Sequence, residues 1–452
     1  MSVTRRLTMK NYLLKMAVYG VKNIDKKVEL NFYNKVLKKK PEFKNCNVKA
    51  IYGANGSGKT AIMYAAEIYK QFVIDKDYVA YYTRNSNLYN LINKNTHRME
   101  VEMVFAVLND DMVLQNIYSH NISFALRNDI LFIEGEHLKK LHGYRINDES
   151  KFETIYEVKN GELINNTNEF LSEASKNILA ERSVVSNIIY QSIGKPEIEK
   201  QPIFSDILDV YGFAQNLTIV INGTDKNYIN LNYIVKQMNA IAKYEKEFDS
   251  NLFNKLLFKQ KLVSPDELII DKEMFGTFKQ DMTNMCKFIQ VFKSDLSDID
   301  VKEEEMADSY VCNVYFVYND GKRIARQYES TGIKKLMTLY YALCDVDAGK
   351  IVFIDEFDAN IHDIILIKLI EYIQSYSKGQ FIFTTHNLGP MDVLQNSKYS
   401  IDFLSNDSQI VPWVKFGNSS AASVYTRGLI KYSPFNIEAF DFLGVFNSES
   451  NK

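Results

Sequence analysis

One octapeptide limits this chain more than anything else in it. Gly53-Ala54-Asn55-Gly56-Ser57-Gly58-Lys59-Thr60 satisfies the pattern GxxxxGK followed by Ser or Thr at every fixed position. Val48, Ala50, Ile51 and Tyr52 precede it as a short strand, and Ala61 to Phe72 follow with helical spacing, which is the setting a phosphate loop requires. Glycines let the backbone N–H groups curl around phosphates, and the new helix presents its positive N-terminus. Gly53, Asn55, Gly56, Ser57 and Gly58 are therefore expected to cradle a nucleotide. Lys59 would reach its β and γ oxygens, and Thr60 would ligate Mg2+.

The order of the remaining elements narrows the fold. Leu13 to Phe32 reads as two strands around the turn Gly20 to Lys26, and Arg98 to about Asn160 alternates as hairpin strands do. From Asn166 to about Asp298 the spacing turns helical, with long stretches such as Tyr233 to Phe248 and Lys272 to Phe292. Strand character returns at Val311 to Tyr318, then at Ile351 to Ile354 and Phe381 to Thr384, separated by helices from about Gly332 to Asp347 and Ile364 to Ser375. Strands alternating with helices predict a mainly parallel sheet in an α/β fold. The expected organisation is an N-terminal lobe over residues 1–165, a helical insertion over 166–304 and a C-terminal lobe over 305–452.

Composition rules out several classes. With 46% hydrophobic and 24% charged residues among 452, the chain reads as an ordinary soluble protein. No apolar run approaches the roughly 20 residues of a membrane-spanning helix, and Met1 to Lys10 does not resemble a secretion signal, so the cytoplasm is the expected compartment. Cys46, Cys286, Cys312 and Cys344 lie far apart without zinc spacing. A net charge of -2 does not suggest a coat for nucleic acid, and Lys38 to Lys40 and Glu303 to Glu305 read as exposed connections.

The sheet delivers its chemistry at one edge. Ile351 to Ile354 is a buried apolar run, and Asp355 and Glu356 follow at its C-terminal end, where parallel sheets bind ligands. Asp355 would hold Mg2+ through its water shell, and Glu356 would activate the attacking water; the consecutive acids separate this pattern from kinases and GTPases. The strand Phe381 to Thr384 leads to His386, a donor for charge developing on a phosphoryl group. Ser330 and Gly332 open the helix that precedes the Asp355 strand, and a helix N-terminus attracts anions. Gly53 to Thr60, Asp355 and His386 already surround the chain's own phosphates. The Ser330 end therefore points to the γ-phosphate of a second copy, although an ordinary serine cap would leave the same trace.

Taken in order, these motifs resemble those of ABC-type ATPases. Glu329 to Lys335 is similar to a degenerate LSGGQ-like signature of SMC-like and OLD-like proteins, with Ser330 and Gly332 at the matching positions, and His386 stands where such ATPases keep a switch histidine. The succession GANGSGKT, ESTGIKK, IVFIDEFDANIH and IFTTHN resembles the OLD-like AAA-family ATPases of bacterial anti-phage and abortive-infection systems. That resemblance implies an α/β, ABC/SMC-like P-loop ATPase head, a mixed sheet with helices interrupted by a mainly helical insertion. It implies a D-loop at Asp358-Ala359-Asn360 and a base-facing segment at Lys22 and Asn23. Tyr432 to Asn436 and Phe440 to Phe442 also look like segments of such ATPases.

The resemblance further implies ATP and Mg2+ as ligands, and a homodimer or higher homo-oligomer with two shared sites. The implied role is that of a sensor or regulator like the ATPase subunits of AbiL-type and PARIS-type defence. The chain after His386 is too short for the Toprim nuclease domain of OLD proteins, so a nuclease-like or Toprim effector is expected on a separate polypeptide, with DNA or a phage protein as trigger and no membrane partner. No Q-loop glutamine can be placed, since Gln191 and Gln201 lie in a region without recognisable pattern. A SMC/RecF-like DNA-repair ATPase would use the same head with long heptad arms, for which the insertion has little room. A transporter subunit would more closely read LSGGQ. A non-hydrolysing, ATP-dependent scaffold would carry the same motifs, and phosphate release discriminates it from an enzyme.

Overall fold

Unbroken apolar runs and alternating ones fold into different sheets of this protein. The computed structural model describes residues 9–430 apart from 34–35, 44–45, 80–86, 128–129, 167, 175–181, 194, 222–267, 360 and 416–418. The chain opens with β1 (Lys10–Tyr19), β2 (Val28–Asn31), β3 (Val48–Gly53), α1 (Lys59–Ile74) and the strands β4 (Arg98–Leu108), β5 (Leu114–Arg127), β6 (Ile130–Leu141), β7 (Phe152–Lys159) and β8 (Glu162–Asn166). Helices α2 (Val184–Ser192) and α3 (Phe204–Gln215) lead to β9 (Leu217–Val220). Beyond residue 267 come β10 (Leu268–Asp271), α4 (Phe275–Gln290), β11 (Leu296–Glu305), β12 (Ser309–Tyr318), β13 (Arg323–Ala325) and α5 (Thr331–Asp347). The last described part holds β14 (Ile351–Ile354), α6 (Asp363–Tyr376), β15 (Gln380–Thr384), α7 (Gly389–Leu394), β16 (Ile401–Leu404), β17 (Ile410–Pro412) and α8 (Ala421–Thr426).

The central sheet has the order β17-β16-β3-β15-β14-β9 and is parallel except for β17. Both of its faces are covered, which is why β3, β14, β15 and β16 are buried at every position. Side chains of successive residues leave a strand on opposite faces, so Ile51, Phe353 and Ile382 join one core while Tyr52, Val352 and Phe383 join another. The first core also takes Ile62, Ala65, Ile68 and Phe72 of α1, with Met103, Phe105 and Ile122 of the antiparallel sheet β2-β1-β4-β5-β6-β7-β8 on its far side. A helix clamped between two sheets is buried nearly all round, and each larger side chain contributes about 1.5–3 kcal/mol. The second core packs α4, α5 and α6 against the other face.

The segment 166–304, expected to be mainly helical, does carry α2, α3 and α4 but also supplies strands. β9 joins the central sheet beside β14, pairing Leu217 with Ile351 and Val220 with Ile354. Its four residues, three of them apolar, follow α3 almost without a break, so periodicity alone reads them as more helix. β11 spans the boundary expected at residue 304 and pairs with β12 as far as Glu305 and Tyr310. Two of the three acids expected to mark a connection, Glu303 and Glu305, face cations on this strand: Lys279 Nζ lies 2.9 Å from Glu303 and Lys272 Nζ lies 2.5 Å from Glu305, while Arg323 pairs with Asp300 earlier in it. The helical stretch Tyr233 to Phe248 and the C-terminal segments Tyr432 to Asn436 and Phe440 to Phe442 lie outside the described residues. No helix among the described residues is long and apolar enough to cross a membrane.

Candidate functional site

β3 and α1 are joined by the glycine-rich loop, and two of its glycines are dictated by close approach. A Cβ at Gly53 would stand 2.5 Å from Leu404 O and 2.5 Å from Ser57 Oγ, because β16 runs alongside. β16 is held there partly by a buried pair, Lys49 Nζ to Asp402 Oδ2 at 2.5 Å. Gly58 caps α1 with φ 107°, a left-handed value, and a Cβ on it would meet Ile24 Cγ1 at 2.9 Å. No side chain caps α1, so its leading N–H groups are left for a ligand. Ser57 Oγ is buried without a hydrogen-bond partner.

Lys59 folds back over this loop. Its Nζ donates to Gly53 O at 2.8 Å and to Ala54 O at 3.0 Å. Burial depresses the ammonium's pKa, and the carboxylates of Asp355, Glu356 and Asp358 oppose that depression. Asn23, expected from the resemblance to face the base, donates its Nδ2 to Gly56 O and so grips the loop itself. Lys22 has φ 52° and sets its Nζ 4.9 Å from the centre of the Tyr64 ring on α1. Asn93 Nδ2 donates to Lys22 O at 2.7 Å and steadies the turn.

The carboxylates stand where β14 ends, one strand away. Asp355 is buried, its N–H donates to Val220 O at 2.8 Å, and its Oδ1 accepts from Thr384 Oγ1 at 2.7 Å. Glu356 is exposed with φ 50°, a rare region for a residue with a side chain, and its N–H donates to Thr384 Oγ1 at 2.7 Å. Phe357 then turns inward against Phe381 and Phe383. Asp358 lies next in the chain with a buried, unpartnered Oδ1, and Asn360 of the expected D-loop falls outside the described residues. His386 follows β15, partly desolvated with its outer part exposed. Desolvation lowers its pKa first and Lys59 second, against the pull of Asp358, Glu356 and Asp355. These charges all act on one imidazole, which places Lys59, Asp355, Glu356, Asp358 and His386 near one another at this edge of the sheet.

Ser330 and Gly332 are placed differently. Ser330 caps α5 by accepting the Ile333 N–H at 3.3 Å, and its own N–H donates to Glu329 Oε2 at 2.9 Å. Buried Glu329 also accepts from Tyr318 Oη at 2.6 Å, an arrangement that raises the phenol's pKa through burial and the carboxylate. These bonds are local, as an ordinary cap requires. Ser330 itself is exposed, and a Cβ on Gly332 would have only Ser330 Oγ, at 3.9 Å, within reach. Nothing among the described residues crowds that glycine. The C-terminal end of α5 is tied to the central sheet by Thr218 Oγ1 donating to Asp345 Oδ2 at 2.7 Å, just before β14 begins, so Ser330 occupies the helix's far end.

Sequence reasoning missed Thr384 and the grip of Asn23 on Gly56. A polar residue closing the apolar run Phe381 to Phe383 was the available signal for the first; the second had none. Gln191 sits on α2 and donates to Asn187 Oδ1 at 3.3 Å, whereas β9 is the strand beside β14, and its continuation from 222 lies outside the described residues.

The family described as "AAA domain, putative AbiEii toxin, Type IV TA system" matches residues 48–392. Among solved structures, the Smc head domain with an extended coiled coil bound to the C-terminal domain of ScpA, from Pyrococcus furiosus, is similar at 18% identity and a TM-score of 0.40, covering 89% of this chain and 96% of that one. The Smc head domain with a coiled coil and joint from Pyrococcus yayanosii is similar at 13% identity and a TM-score of 0.43, covering 89% and 97%. No curated protein matches the chain.

Proposed function

We propose that this chain, which belongs to the AAA_21 family of AAA domains, hydrolyses ATP at sites that two copies complete for each other. The observation that carries the reading is the convergence of Lys59, Asp355, Glu356 and His386 on the edge where β3, β14 and β15 end. A triphosphate fits the unmet groups there: uncapped N–H groups of α1, the unpartnered Ser57 Oγ, and a lysine whose Nζ donates to two loop carbonyls among the described residues. Thr60 and Asp355 are the residues that would hold Mg2+, whose charge neutralises oxygens of the β- and γ-phosphates. Lys59 would trade its two carbonyl bonds for phosphate oxygens. Glu356, exposed at the strand end, would take the proton of the attacking water, and His386 would donate a hydrogen bond to the γ-phosphate.

The second copy enters through Ser330 and Gly332. An exposed helix start with open space at Gly332 suits the close approach of another molecule's phosphate, and a head-to-tail pair would let each signature cover the nucleotide of its partner. Ser330→Arg is therefore expected to keep ATP binding to the isolated head and to eliminate phosphate release, because the guanidinium blocks closure. Mixing it with Lys59→Ala should restore one working site per heterodimer. Cross-linking establishes first that mixed dimers form. Normal hydrolysis by Ser330→Arg alone would show that the site is complete within one chain.

The biological reading is that of a sensor or regulator in bacterial anti-phage defence, with a separate nuclease-like or Toprim effector and DNA or a phage protein as trigger. The motif succession and the family's toxin–antitoxin description support it. Affinity purification from the native host is expected to recover a second protein with this chain. Recovery of this chain alone, before and during infection, would count decisively against a separate effector.

A further inference from the structure

We propose that Thr384 is a positioning residue of the hydrolytic centre, whose single hydroxyl holds the Asp355 carboxylate and the Glu356 backbone in register. The inference rests on the roles given to Asp355 and Glu356 above, and it concerns a residue of the IFTTHN segment to which the motif reading gave no role. Thr384 is wholly buried at the end of β15, the strand between β3, which carries the phosphate loop, and β14, which carries the acids. Its Oγ1 donates to Asp355 Oδ1 at 2.7 Å and accepts the Glu356 N–H at 2.7 Å, while its carbonyl accepts the Phe357 N–H at 3.0 Å. Three consecutive residues of the catalytic turn are thus tied to one threonine.

Those ties matter because the turn is strained. Glu356 has φ 50°, and such a conformation persists only where its surroundings over-determine it. Valine has the volume of threonine and would fill the same space, so packing alone does not call for the hydroxyl. Without it, the half-buried Glu356 N–H loses its hydroxyl partner, and Asp355 loses the donor that orients one oxygen. Asp355 would then rotate away from the metal position, and Glu356 would drift from the water it must activate.

Binding and turnover together test this in the full chain. A fluorescent ATP analogue is titrated into wild type, Thr384→Val, Thr384→Ala and Thr384→Ser, first with EDTA and then across a Mg2+ series, and each variant's melting curve is recorded. In EDTA all four are expected to bind alike. The Mg2+ concentration for half-maximal effect should rise about tenfold in the Val and Ala variants and stay near wild type in Ser. With ATP, kcat should fall about 100-fold in Val and Ala, with KM little changed. Should valine fail to fold, alanine carries the comparison. An unchanged Mg2+ dependence in the folded variants overturns the proposal, as does a serine variant no better than alanine. A wild type that binds with Mg2+ dependence yet releases no phosphate would sink the hydrolytic reading alone, because the Mg2+ series still reports on Asp355.

Discussion

Lys59→Ala is expected to weaken binding of ATP with Mg2+ at least about 100-fold, to the edge of detection by calorimetry. The side chain is buried beside Asp355, Glu356 and Asp358, so it is the one cation of the phosphate loop and faces three carboxylates when no phosphate is present. A triphosphate adds further negative charge to that edge, and without the ammonium the acids repel it. Alanine also frees Gly53 O and Ala54 O, which the lysine holds at 2.8 and 3.0 Å. Loop disorder would cost stability as well, by about 1–3 kcal/mol, so a melting curve separates the two effects. An affinity equal to wild type would remove the basis for placing the nucleotide here.

Glu356→Gln has the opposite profile. ATP should still bind, since Lys59, Thr60 and the loop are untouched, while phosphate release falls by about 10²–10⁴, the span that a general base contributes. The amide preserves the side chain's shape. Its backbone is held from outside by Thr384 Oγ1, so φ near 50° and the fold should both survive the change. Trapped ATP would then keep the paired state closed, and light scattering should show dimers or larger assemblies accumulating with ATP in the variant. Turnover at the wild-type rate would show that another residue activates the water.

Much of the site was legible because its parts are local. The octapeptide carries its own backbone requirement, and Asp355 and Glu356 are delivered by the four apolar residues before them. His386 is two residues past the end of an equally plain strand. Where contact rather than neighbourhood made the site, reading along the chain fell short. Asn23 meets Gly56, Ile24 closes over Gly58, and Leu404 O crowds Gly53, yet no pattern in any of these segments announces the others. Thr384 reads as the polar end of a strand, and only the place of β15 beside β14 gives its hydroxyl the partners Asp355 and Glu356.

The limits of the helical reading have the same origin. Residues 217–220 continue the apolar content of α3, and only the open edge of β14 makes them a strand. Glu303 to Glu305 reads as an exposed connection, and these acids are exposed, but pairing of β11 with β12 and the cations of Lys272, Lys279 and Arg323 make residues 296–305 a strand that buries Leu296 and Ile299. Strand identity depends on a partner's hydrogen bonds far more than helix identity does, since a helix closes its bonds within a few residues. By itself, then, the sequence determined the phosphate loop, the acids at a buried strand's end and the parallel order around them, because each follows from contiguous residues and their period. Which strand lies beside which, what holds Glu356 in its strained turn, and which side chains close upon the loop were decided by the tertiary structure, because those bonds join residues that are neighbours only after the chain has folded.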